Sequence, residues 1–276
     1  MSNSRISQGP WTRVRPLQRD ELDVRTHAAM TEGELTWGSF PNNLCRVMAY
    51  CPRLIETEIE YCNTFIFDPA EMRHRSEFDE PGRRDDRDHV VPEHYQVAGF
   101  LDRFLKELVI SKTSLINRSR YSVTHHAFLG YVLYATAGRA DEAHAKYLHL
   151  HEHDKHPNVY TERELAVLDY TDKVVRDAHL VSDNEFAGLR QALATSNTDV
   201  DGWDEMPADE KDRHVDAQIV ELTWLIGHFC LLNRWFTVLQ VPDEGPEDEV
   251  DFSAVYAAVV PQDIRDRNEA ILNGDF

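Results

Sequence analysis

Along most of the chain, apolar residues recur every three or four positions, and no convincing run of alternating strand residues interrupts them. The spacing predicts a short helix around RDELDVRTHAAM (19–30) and a longer one over about 43–64, interrupted near Pro52. Further helices are predicted over about 96–116, from Ser119 to just before Gly138, and along ADEAHAKYLHLHEHD (140–154). Thr161 with Glu164 and Ser182 with Glu185 form capping-box signatures, each opening another helix. The most apolar helix, HVDAQIVELTWLIGHFCLLNRWFTVLQ, occupies 214–240. Between these, 71–94 is dense in charge and turn formers and reads as a solvated loop, and 195–212 reads as a polar linker. After 241 comes an acidic segment followed by one or two short helices. The pattern is all-α: a helical domain at 41–241 with the 71–94 loop inserted, an N-terminal extension (1–40) and an acidic C-terminal extension (242–276).

Charge narrows the partners. The 276 residues carry 49 acidic and 29 basic side chains, a net charge of −20. That balance argues against a nucleic-acid surface or an anionic membrane as partner. The first residues lack the apolar core of a signal peptide, and no stretch approaches about 18 uninterrupted apolar residues. A cytoplasmic location is the expectation. Cys45, Cys51, Cys62 and Cys230 include no CxxC, and are expected to be buried or half-buried thiols.

The candidate chemistry lies in NRSRYSVTHHAFLG (117–130), where Ser119, Ser122 and His126 share one helical face at i, i+3 and i+7. Together with PNNLCRVMAYCPRLIE, LKELVISKTS and IVELTWLIGHFCLLNRWFTVLQV, this segment resembles the carboxymuconolactone decarboxylase and alkyl hydroperoxidase D superfamily, over about 41–241 and in order. The resemblance implies an alkyl hydroperoxidase D-like helical bundle and a homo-oligomer (dimer, trimer or hexamer). In the peroxidase branch a glutamate lies twelve residues before a CxxC, and a histidine follows four after the second cysteine. Here those positions hold Glu107, Ser119, Ser122 and His126. A serine hydroxyl can neither be oxidised reversibly nor close a disulfide, so thiol peroxidase activity is not expected.

What the resemblance leaves is an acid/base pair, Glu107 and His126, with a partly buried Glu of raised pKa beside a His suited to proton transfer. The decarboxylase branch carries out cofactor-free proton chemistry on a small lactone acid, which implies a lyase, isomerase or hydratase step on a small organic acid or lactone, with no cofactor. That branch carries a Glu where this chain has Ser122. Ser119, Tyr121, Ser122, His125, His228 and Arg234 are the candidate substrate-binding residues. Other roles stand beside these. Ser119 serves equally as a helix cap, Glu107 as a buried partner for Arg118, Arg120 or Arg234, and His126 as a satisfied core histidine. Arg234, in the apolar run LLNRWFTVL, needs an internal partner such as Glu221 or Glu107, or a substrate carboxylate. No metal is expected, although His149, His153 and His156 in YLHLHEHDKHP have helical ligand spacing with Glu152 and His144 nearby. The rival readings are a non-catalytic small-molecule-binding or assembly relative, and a metal-dependent enzyme using His149–His156.

Overall fold

Eleven α-helices and a few shorter helical turns form the regular structure of the described residues (13–37, 42–66, 100–195 and 202–275) in the computed structural model, with no strand among them. In chain order they are α1 (Val24–Trp37), α2 (Asn43–Met48), α3 (Pro52–Tyr61), α4 (Arg103–Ile116), α5 (Arg120–Thr136) and α6 (Ala140–His149). Then follow α7 (Glu162–Asp177), α8 (Asp183–Thr195), α9 (Ala208–Leu239), α10 (Phe252–Val259) and α11 (Gln262–Asn273). The predicted 71–94 loop lies outside the described residues.

α4 is the central helix, buried from Leu105 to Leu115, and packs against α5, α7 and α9. It begins at Arg103, later than the apolar pattern suggests, because Asp102 caps it by accepting from the Leu105 amide at 2.8 Å. Its two lysines beyond Arg103 face protein and are matched there. Lys106 pairs with Glu221 at 2.7 Å and donates to the Phe65 carbonyl at 2.6 Å, while Lys112 pairs with Asp172 at 3.1 Å. The turn to α5 is tight, with Arg118 in the left-handed region (φ 53°) and Ser119 at the N-cap position.

The α4–α5 crossing depends on Gly130. A Cβ there would lie 1.6 Å from the Tyr147 hydroxyl and 3.2 Å from the Glu107 Cβ. Thr161 and Glu164 form the reciprocal capping box foreseen for α7, and Ser182 and Glu185 exchange the same pair of bonds at the start of α8. Pro52 divides the 43–64 prediction into α2 and α3, and a π-helical turn (Cys62–Ile66) follows. The long helix begins six residues earlier than predicted, at Ala208. The segment after 241 packs back on the bundle, α10 against α5 and α11 against α6 and α4. Cys45 and Cys62 are buried and Cys230 half-buried, whereas Cys51 is exposed, contrary to expectation.

Candidate active site

α4 and α5 present Glu107 and His126 to each other. His126 Nδ1 lies 2.9 Å from Glu107 Oε2, and Arg103, one turn before Glu107, sits 2.5 Å from Oε1. Glu107 has no exposed surface. Burial pushes its carboxyl upward, but Arg103 and His126 outweigh that and hold it below the usual carboxylate range. The raised pKa expected from the sequence is therefore corrected, and the partner of Glu107 is Arg103 rather than Arg118, Arg120 or Arg234. An ionised carboxylate can only accept, so Nδ1 of His126 carries the proton and Nε2 is the nitrogen left for another molecule.

His126 forms part of the wall of a cavity of about 100 Å³. Arg103, Ser122, His125 and Glu58 supply its polar wall; Leu129, Phe229, Leu232 and Phe236 supply much of the apolar one. Phe229 meets the His126 ring edge-on at 4.9 Å between centroids, which limits the imidazole's rotation.

Next to this lies a second carboxylate–histidine group. His125 Nε2 is 3.0 Å from Glu244 Oε2, and its Nδ1 is 2.8 Å from the Tyr121 carbonyl. With both ring nitrogens facing acceptors, His125 is held as imidazolium. Burial lowers its pKa, but Glu244 and Asp243 outweigh that and raise it overall. Burial likewise pushes Glu244 up, and His125 and the Asn43 amide bring it below its ordinary value. Tyr121 donates to Glu244 Oε1 at 2.9 Å and accepts from the Leu44 amide at 3.2 Å.

The structure thus brings Glu107, Tyr121, Ser122, His125 and His126 together. Ser122 shares a hydrogen bond with Ser114 at 2.8 Å. Ser119 is fully buried at the start of α5, yet its hydroxyl makes no capping bond. His228 stands behind the wall, 2.9 Å from Glu58 Oε1 and stacked on Tyr61. Arg234 is misplaced by the sequence reading. It is exposed on α9 and donates to the Cys230 carbonyl of its own helix at 2.8 Å, while Glu221 is taken by Lys106. Its apolar neighbours in sequence point elsewhere around the helix. The histidine cluster does not converge either. His149 and His156 stack at 3.7 Å, whereas His153 is buried between Lys112 (3.2 Å) and Asp169 (2.9 Å). Among the described residues no three His, Cys, Asp or Glu side chains are placed to hold a metal. Sequence reasoning missed Arg103, Glu58 and Glu244. Only Arg103 had a local signal, its i, i+4 spacing to Glu107.

The arrangement of helices is similar to that of solved structures. A peroxidase-related protein from Silicibacter sp. TM1040 is 14% identical with a TM-score of 0.51, over 87% of this chain and 95% of its own. This chain has the alkyl hydroperoxidase D-like fold. An uncharacterized peroxidase-related protein with an alkylhydroperoxidase AhpD core, from Ralstonia eutropha JMP134, is 18% identical with a TM-score of 0.49, covering 85% and 93% of the two chains. No protein-family model and no curated protein matches the sequence.

Proposed function

We propose that this protein is a cofactor-free acid/base catalyst of the lyase, decarboxylase, isomerase or hydratase type, acting on a small organic acid or lactone in the cytoplasm. The observation that carries the reading is the 2.9 Å contact between Glu107 and His126 at the cavity wall. His126 Nε2 takes a proton from a carbon beside the substrate's carbonyl, and the imidazolium so formed is stabilised by Glu107 behind it. Arg103, which also borders the cavity, favours the negative charge that develops on the substrate oxygen. The same imidazolium then returns its proton to a different atom of the substrate or to a leaving group. Glu107, having no exposed surface, is a positioning residue that sets the tautomer.

The neighbours with this fold are described as peroxidase-related. The positions that the sequence resemblance assigns to redox thiols hold Ser119 and Ser122 here, which favours proton transfer over thiol chemistry. The contact distance and the open cavity also favour a catalyst over a binding relative whose pocket is filled.

The test is turnover across a panel of small lactones and enoic acids. His126→Gln is expected to lower kcat by about a hundredfold or more, the usual weight of a positioned general base. Glu107→Gln is expected to lower kcat and displace the acidic limb of its pH profile. Unchanged turnover in His126→Gln would overturn the assignment.

A further inference from the structure

The outer face of α9 carries a stripe that the other described residues do not cover. Val220, Trp224, Leu231 and Val238 are 69%, 60%, 62% and 58% exposed. With Gly227 and Arg234, also exposed, they are spaced alternately by four and three residues, the repeat of one helix seam meeting another. A Cβ on Gly227 would meet nothing within 4 Å, so the stripe has a dimple at its centre. Residues 222–240 contain no Asp or Glu, in a chain with 49 of them. An acid-rich protein that leaves one long face apolar and free of acids has a surface suited to burial.

The order of residues along the stripe is self-complementary. If a second copy lies antiparallel, about a two-fold axis level with Phe229, Val220 meets the partner's Val238 and Trp224 meets the partner's Arg234. Gly227 then receives the partner's Leu231. Each contact occurs twice by symmetry: an aliphatic pair, a guanidinium over an indole, and a large side chain in an open notch. We propose that this face of α9 is a homodimer interface in this antiparallel register, with Trp224 and Leu231 as its anchors. The stripe from Val220 to Val238 runs about 27 Å along the axis. α9 is also apolar and long enough to cross a bilayer, with half of its most apolar window buried in the bundle. An order of residues that matches itself in reverse favours a second copy of the chain as the occupant over a lipid surface.

Light scattering coupled to size exclusion tests this on the full chain. The wild type is expected at twice its 31.9 kDa. Leu231→Glu is expected to raise the dimer dissociation constant a hundredfold or more, with an unchanged circular dichroism spectrum because the side chain is exposed. Leu180→Glu, at another exposed apolar position, should leave the dimer intact. Register is read from a charge pair. Trp224→Glu sets a carboxylate opposite the partner's Arg234 and should retain most of the dimer, whereas Trp224→Glu with Arg234→Glu should abolish it. A monomeric wild type, or any assembly that survives Leu231→Glu, overturns the interface. So does a monomer that binds neutral phosphatidylcholine vesicles through this face. Equal loss in the single and double charge variants overturns the register.

Discussion

Glu107 serves two partners at once, His126 Nδ1 at 2.9 Å through one oxygen and Arg103 at 2.5 Å through the other. The carboxylate therefore neutralises a buried arginine and selects the histidine tautomer in the same position. Glu107→Gln removes a buried carboxylate from beside Arg103 and should cost about 3 kcal/mol of stability. Urea unfolding measures it. A loss within about 0.5 kcal/mol of wild type, the level of an ordinary surface change, would show that the Arg103 contact carries little of the fold's energy.

Gly130→Ala puts a methyl group into space already held by the Tyr147 hydroxyl and close to the Glu107 Cβ. α5 must then move away from α4 and α6, with a destabilisation of about 2–3 kcal/mol and a longer Glu107–His126 contact. Combining it with Tyr147→Leu should recover part of the stability, which a thermal melt of the single and double variants checks.

His125 predicts a pH dependence of stability. Its folded pKa is raised, chiefly by Glu244 against the effect of burial, so its stabilisation is complete below the unfolded value of about 6.5 and is lost as pH rises through the folded value. Glu244, whose folded pKa is lowered, acts at the other end. Its contribution is present above the unfolded value and is lost as pH falls through the folded one. Stability of the wild type should decline on the alkaline side of neutrality more steeply than that of His125→Gln, in melts recorded from pH 5 to 9. Parallel curves would show that the imidazolium is not the source.

Thr161→Ala removes the hydroxyl that accepts from the Glu164 amide and should cost about 1 kcal/mol. Thr161→Ser should cost little. Chemical denaturation of the two variants separates loss of the cap from loss of the methyl group.

Helical class and most helix positions were legible because apolar spacing and capping boxes are local signals, readable within one or two turns. The Glu107–His126 pair was legible only through spacing shared with a family, since nothing local says that α4 crosses α5 at those residues. Glu58 and Glu244 could not be found this way. The first joins the cavity from the end of α3, and the second lies in an acidic run where nothing local marks one carboxylate as buried. Arg234 shows the opposite failure. Its apolar neighbours suggested burial, although counting back by threes and fours to Leu231, Gly227 and Trp224 places it on the uncovered side of α9.

The carboxylate that Tyr121 and His125 share comes from a residue 123 positions after Tyr121. At a translation rate of about 5–20 residues per second, roughly 6–25 s separate their synthesis. During that interval the nascent chain holds the Tyr121 hydroxyl, the His125 ring and the Asn43 amide without the acceptor that later joins all three. The ribosome thus delivers Tyr121 and His125 well before the carboxylate that anchors them, and the nascent α5 passes through a stage with one side of the His125 imidazole unanchored.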